Sequence, residues 1–180
     1  MKLFVTIIAL VLLAGMSAGA ASSLPIEVAY GGEEAGTYVN GYDGESYSEE
    51  PATYDAVSKA TCKLGHGKRF FKSWLGFKVW QYNEDVRYCY NGSVVTSSQR
   101  WRWAEIYGAA SYYWSFEGHI GNSCATESCS DQKGTQYTYY RTQGKFKACW
   151  VLQFTVCNER LPWISIVASA MGTGQFSSGG

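Results

Sequence analysis

The sequence predicts an all-β protein, an antiparallel β-sandwich of about eight strands with a closed barrel as the alternative, stabilised by disulfides. Three observations lead there. Apolar residues recur with a period of two in successive runs, and no amphipathic helical segment of any length interrupts them. Asn91-Gly92 separates two such runs, and this dipeptide is the strongest short-range hairpin signal because both turn residues take positive φ. Six cysteines (Cys62, Cys89, Cys124, Cys129, Cys149, Cys157) follow a leader-like N-terminus. An even count in that setting reads as three disulfides, each worth about 2–4 kcal/mol.

Residues 1–20 have the grammar of a signal peptide. Lys2 precedes an apolar run from Leu3 to Gly15, and Ala18-x-Ala20 supplies the cleavage signal. The run is shorter than the roughly 20 residues that span a bilayer, so no transmembrane anchor is expected. Leu12-Leu13-Ala14-Gly15 opens like a lipoprotein signal, but Met16 stands where a cysteine would be acylated. The expected location is secreted and extracellular. Residues 21–58 carry eight acids and no Lys or Arg, with scattered glycines and few large aliphatics. They read as an acidic flexible arm or pro-segment, with Tyr38, Tyr42, Tyr47 and Tyr54 able to dock it on the body. The rest of the mature chain holds 14 basic residues against seven acids, a balance that suits anions outside the cell.

Residues 59–171 form the expected β domain. Lys63 to Lys68 reads as a loop. From Phe70 to Trp80, the odd positions Phe71, Ser73, Leu75, Phe77 and Val79 make one dry face. The even positions Phe70, Lys72, Trp74, Gly76, Lys78 and Trp80 make a mixed face. Asn83-Glu84-Asp85 reads as a break before Val86 to Tyr90. After the Asn91-Gly92 hairpin, Trp101, Trp103, Glu105 and Tyr107 share one side of a strand and Arg102, Ala104 and Ile106 the other. Tyr112 to Ile120 is a further strand. Asn122 to Thr135 is the long loop, and Gln143-Gly144 reads as a second hairpin between Gln136–Thr142 and Lys145–Val156. There Phe146, Ala148, Trp150, Leu152, Phe154 and Val156 form the clearest core stripe. Pro162 opens a last strand from Trp163 to Ala170, and residues 172–180 read as a flexible Gly/Ser tail.

Cys124 and Cys129 share one loop and are expected to pair. On one straight strand Cys149 and Cys157 would lie roughly 26 Å apart at about 3.3 Å per residue. A disulfide needs Cα atoms within about 7 Å. Either the chain turns back between them or they bond to Cys62 and Cys89; the pairing Cys62–Cys89 with Cys149–Cys157 is favoured. The cysteines lack the His partners or paired Cys-x-x-Cys spacing of a metal site, so no metal or cofactor is expected.

Two blocks, YCYNGSVVT (Tyr88 to Thr96) and the RTQGKFKAC…C…PWISI pattern from Arg141 to Ile166, resemble a loose group of small secreted bacterial proteins with no assigned activity. The likeness covers roughly Ala60 to Ala170, with the Cys124/Cys129 loop an addition to the pattern. The resemblance implies a secreted, disulfide-linked β fold and no catalytic residues.

Aromatic residues are the most abundant material for a site. Trp74, Trp80, Tyr82, Trp101, Trp103, Tyr113, Tyr137 and Tyr139 could stack sugar rings, although most aromatics in any β protein are core. The even face of the first strand, with Lys72, Trp74, Lys78, Trp80 and Tyr82, is the expected binding surface, joined by Trp101 and Arg102. Arg100, Arg102, Lys145 and Lys147 could form a basic patch. Nucleic acid is not expected, for want of a recognition helix or an aromatic RNA-binding motif. Glu117-x-His119 places a carboxylate and an imidazole on one strand face as an acid–base pair. Glu84 with Asp85, or Glu105 with Glu117, are the conceivable glycosidase carboxylates. Ser123 lacks the glycine of a nucleophile elbow. The expected function is a secreted, non-catalytic binding domain for an extracellular polysaccharide or anionic cell-envelope polymer. The alternatives are a small secreted hydrolase using Glu117 and His119, and a toxin or inhibitor whose acidic arm masks a basic body.

Overall fold

The computed structural model of the protein describes residues 38–57, 59–120, 128–130, 134–151 and 155–180. The segment expected to be a signal peptide, Ser123 and the expected Cys124–Cys129 pairing lie outside the described residues. Among the described residues eleven strands follow one another: β1 (Gly41–Glu49), β2 (Thr53–Asp55), β3 (Ala60–Ser73), β4 (Lys78–Tyr90), β5 (Val95–Ile106), β6 (Trp114–Ile120), β7 (Ser128–Ser130), β8 (Tyr137–Val151), β9 (Thr155–Arg160), β10 (Trp163–Ser169) and β11 (Gly174–Gly179). The protein is all-β, with two antiparallel sheets. One has the order β1-β3-β4-β5-β7 with β2 also on β3; the other has β11-β10-β8-β6 with β9 also on β8.

The inward faces meet in one core. Phe71, Trp80, Tyr82 and Tyr88 come from the first sheet, and Phe146, Ile164 and Ile166 from the second; none is more than 1% exposed. The Trp80 ring stacks on Phe146 at 4.4 Å and on Phe71 at 5.8 Å. Burial of each Phe or Ile stabilises the fold by about 1.5–3 kcal/mol.

Several expectations are corrected. Phe70 to Trp80 is not one strand. Ser73 and Phe77 close a turn, with the Ser73 amide donating to the Phe77 carbonyl at 2.9 Å and the Gly76 amide to the Ser73 carbonyl at 2.8 Å. Lys63 to Lys68, read as a loop, is the middle of β3. Asn83-Glu84-Asp85 lies within β4, because Glu84 and Asp85 find partners on neighbouring strands and Asn83 accepts from Gln81 on its own strand. Gln143-Gly144 is not a turn: β8 runs straight through it. Glycine is required there for packing, since a Cβ would sit 2.8 Å from the Tyr82 ring. The Asn91-Gly92 hairpin forms, but as a four-residue connection in which only Gly92 has positive φ (91°). The Asn91 carboxamide oxygen accepts from the Ser93 and Val94 amides, both at 3.0 Å.

Two segments expected to be flexible are strands. β1, inside the acidic stretch, pairs along its whole length with β3. Its acids meet basic partners: Asp43 and Glu45 lie 3.7 and 3.6 Å from Arg69, and Glu49 lies 3.1 Å from Lys63. β11, inside the expected tail, pairs with β10.

Cys62–Cys89 and Cys149–Cys157 are disulfides, each joining directly opposed residues of an antiparallel pair with Cα atoms 4.0 and 4.2 Å apart. The chain turns back between Cys149 and Cys157, the first of the two alternatives that their spacing left open. Such bonds persist in oxidising compartments. No helix among the described residues is long and apolar enough to cross a membrane.

Candidate binding surface

Residues opposed across antiparallel strands point to the same side. Three cross-strand rows therefore share the outer face of the first sheet: Phe70–Gln81–Glu105, Lys68–Asn83–Trp103 and His66–Asp85–Trp101. Trp80, Tyr82 and Glu84 alternate with these residues and face the core. The Trp103 indole N–H donates to Glu105 Oε1 at 2.7 Å, and the Tyr107 hydroxyl donates to Glu105 Oε2. Those two hydrogen bonds, Tyr107 foremost, hold the Glu105 carboxyl below its ordinary range against partial burial, aided by Lys78 and Lys68. Partial burial and the Glu105 hydrogen bond push Tyr107 up to about 12. Lys78 donates to Gln81 Oε1 at 2.8 Å and lies 5.1 Å from the Tyr107 ring centre; Lys72 lies 5.3 Å from that of Phe70. The face thus offers half-buried rings (Phe70, Trp101, Trp103, Tyr107) and ammonium groups (Lys68, Lys72, Lys78), above the amides of Gln81 and Asn83, which are only 6 and 1% exposed.

Of the residues expected to bind, Lys72, Lys78 and Trp101 lie on or beside this face. Trp74 sits on the β3–β4 turn, 71% exposed. Trp80, Tyr82 and Arg102 are buried in the core side of the sheet. The turn at Ser73–Phe77, with a register shift between Phe71 and Lys72, reverses the parity, so even residues look outward before it and inward after it. Lys68, Gln81, Asn83 and Tyr107 escaped the sequence reading as site residues, and Glu105 entered it only as a conceivable glycosidase carboxylate. The alternation of Trp101, Trp103, Glu105 and Tyr107 was the signal that could have found the last two.

Glu117 and His119 are not brought together. β6 carries a bulge between Phe116 and Gly118, where Gly118 has φ 118°. Glu117 is left exposed, accepting from the Ser115 hydroxyl at 2.6 Å. His119 turns to the core, with Nδ1 2.7 Å from the Tyr82 hydroxyl. Burial, with Arg102 and Arg100 nearby, lowers its pKa to about 4. The imidazole is neutral near pH 7. Glu84 and Asp85 point to opposite faces of one strand, and Glu105 and Glu117 belong to different sheets. Arg100 and Arg102 are buried while Lys145 pairs with Glu159 at 2.8 Å outside, so the four do not form a patch.

A polar cluster sits instead between the sheets. Arg100 Nη1 lies 3.5 Å from Glu84 Oε1, and Arg102 Nη1 donates to Thr142 Oγ1 at 3.3 Å. The Tyr82 hydroxyl lies 2.7 Å from the same Thr142 oxygen. Burial outweighs Arg100 and Arg102 and raises the Glu84 pKa to about 8.

Fold and surface together define an all-β, disulfide-linked protein with an aromatic and basic outer face. No protein-family model, curated protein or solved structure matches the chain.

Proposed function

We propose that this protein is a secreted, non-catalytic binding domain, a β-sandwich whose outer face holds an extracellular polysaccharide or anionic cell-envelope polymer. The ladder of Phe70, Trp101 and Trp103 among Lys68 and Lys72 carries this reading. Sugar C–H groups pack on the π faces of such rings, while ammonium groups bond hydroxyls, carboxylates or phosphates. The disulfides and the signal-like residues 1–20 support an extracellular location. The separation of Glu117 from His119 favours binding over turnover.

The test is co-sedimentation of the chain from residue 21 onward, which contains every described residue, with cellulose, chitin, peptidoglycan and whole cell walls at low and high salt. Trp101→Ala and Trp103→Ala are expected to weaken retention roughly tenfold or more without lowering the thermal midpoint appreciably. Retention that survives salt assigns the work to the rings; retention that salt abolishes assigns it to the lysines. No retention on any polymer, or retention untouched by both substitutions, overturns the proposal.

A further inference from the structure

The end of the molecule where β3 turns into β4 carries a feature apart from the outer-face ladder. Trp74, Leu75 and Phe77 project from the turn, 71, 69 and 57% exposed. Two more exposed aromatics stand at the same end. Tyr42 opens β1, its ring 6.5 Å from Trp74, and Tyr112 closes the 3-10 turn that follows β5. The Trp74 amide donates to the Asn40 carbonyl and the Tyr107 amide to the Val79 carbonyl, which holds these three connections side by side. Five of the twelve large apolar side chains exposed among the described residues are therefore gathered at one end.

Turns facing water favour Gly, Asn, Asp, Ser and Pro. A turn built from Trp, Leu and Phe leaves apolar area in water that contributes nothing to the fold, so it needs a partner. Its charge environment narrows the partner. Lys72 and Lys78 flank the tip on either side, and no acid occurs between Gly67 and Asn83. The acids at this end are engaged: Glu105 accepts from Trp103 and Tyr107, and Asp43 lies against Arg69 and Arg160. The shape narrows it further. A convex tip of three side chains is well below the roughly 800 Å² per partner of a stable protein interface, but it matches the depth of about 5–10 Å to which interfacial elements enter a bilayer. Trp beside Lys is the composition of membrane–water interfaces.

We propose that the Ser73–Phe77 hairpin tip docks on an anionic lipid bilayer, with Trp74, Leu75 and Phe77 entering the interface and Lys72 and Lys78 meeting headgroup phosphates. Each lysine held at an anionic surface strengthens such binding about fivefold. Trp74, Leu75 and Phe77 lie outside the Trp101 and Trp103 rows, whereas Lys72 and Lys78 border both surfaces, so substitution of the three apolar residues separates this assignment from polymer binding.

The experiment is co-sedimentation of the chain from residue 21 onward with vesicles of phosphatidylcholine alone or mixed with phosphatidylglycerol. The chain is expected to bind the mixed vesicles more tightly than the neutral ones, and less so at high salt. Replacing Trp74, Leu75 and Phe77 together by serine should weaken binding roughly thirtyfold or more while polymer retention stays intact. Lys72→Gln with Lys78→Gln should weaken it roughly tenfold or more and erase the preference for phosphatidylglycerol. Brominated phosphatidylcholine should quench the emission of Trp74, a loss of quenching in Trp74→Phe confirming the assignment even if the triple variant fails to fold. Absence of vesicle binding, equal binding by the native and substituted tips, or loss of polymer retention with the tip would each overturn the proposal.

Discussion

Glu84 offers a pH test of the inter-sheet cluster. In the unfolded chain it titrates near 4.5, and in the fold at about 8, because burial outweighs Arg100 and Arg102. Between those values the folded chain holds a proton that the unfolded chain has released, so stability falls as pH rises. His119 acts in the opposite sense: its pKa drops from 6.5 to about 4, so stability rises with pH across that window. The two oppose one another up to about pH 6.5, and above it the His119 contribution fades and that of Glu84 dominates. At about 1.36 kcal/mol per unit, with the slope fading near the folded pKa, raising the pH from about 6.5 to about 8.5 should remove about 2 kcal/mol. Urea denaturation across that range measures it directly. Glu84→Gln mimics the protonated acid and should flatten the profile at little cost near pH 6.5. The reasoning is refuted if the native protein is equally stable at both ends, or if Glu84→Gln keeps the decline. A loss of about 3–5 kcal/mol at pH 6.5 on that substitution would also refute it, since that is the cost of breaking a buried ion pair.

Trp80→Ala should unfold rather than disarm the protein. The indole is 1% exposed and stacked on Phe146, so truncation should cost about 3–5 kcal/mol in denaturant titration. The disulfides should differ by the loops they close. Replacing Cys62 and Cys89 by serine, separated by 27 residues, should cost about 3.5 kcal/mol, and Cys149 with Cys157, separated by 8, about 2.5 kcal/mol. Equal losses would point to native-state strain rather than chain entropy.

What was legible in the sequence is what is local. Alternation revealed most strands, and the geometry of an eight-residue spacing revealed that the chain must reverse between Cys149 and Cys157 if they pair. What stayed hidden depends on distant partners. The β3–β4 turn contains no Asn, Asp or Pro, and its Trp74, Leu75 and Phe77 continue an apolar pattern, so it reads as strand. Asn83-Glu84-Asp85 reads as a turn because the groups that satisfy it, His66 and Arg100, are remote in sequence. β1 is acidic and glycine-bearing, and becomes a strand through Arg69 and Lys63 across the ladder. The Glu117–His119 pairing failed on a single extra residue, since one bulge exchanges faces.

The segment Arg100-Trp101-Arg102-Trp103 shows most clearly why parity matters for function. Hydrophobicity alone would turn the tryptophans inward and the arginines to water. The fold does the reverse: Arg100 and Arg102 are 0 and 3% exposed, and both tryptophans lie half-buried on the outer face. A slip of one residue would exchange the two sets. The slip is blocked by β4, whose Trp80, Tyr82, Val86 and Tyr88 are locked in the core and whose Glu84 stands opposite Arg102. Removing two guanidinium groups from water costs several kcal/mol per ion before their partners offset it. A strand arranged for stability alone would avoid that cost by reversing its faces. Its retention in this register is physically reasonable if the outward tryptophans are needed where they are, which is the basis for placing the proposed polymer contact on Trp101 and Trp103.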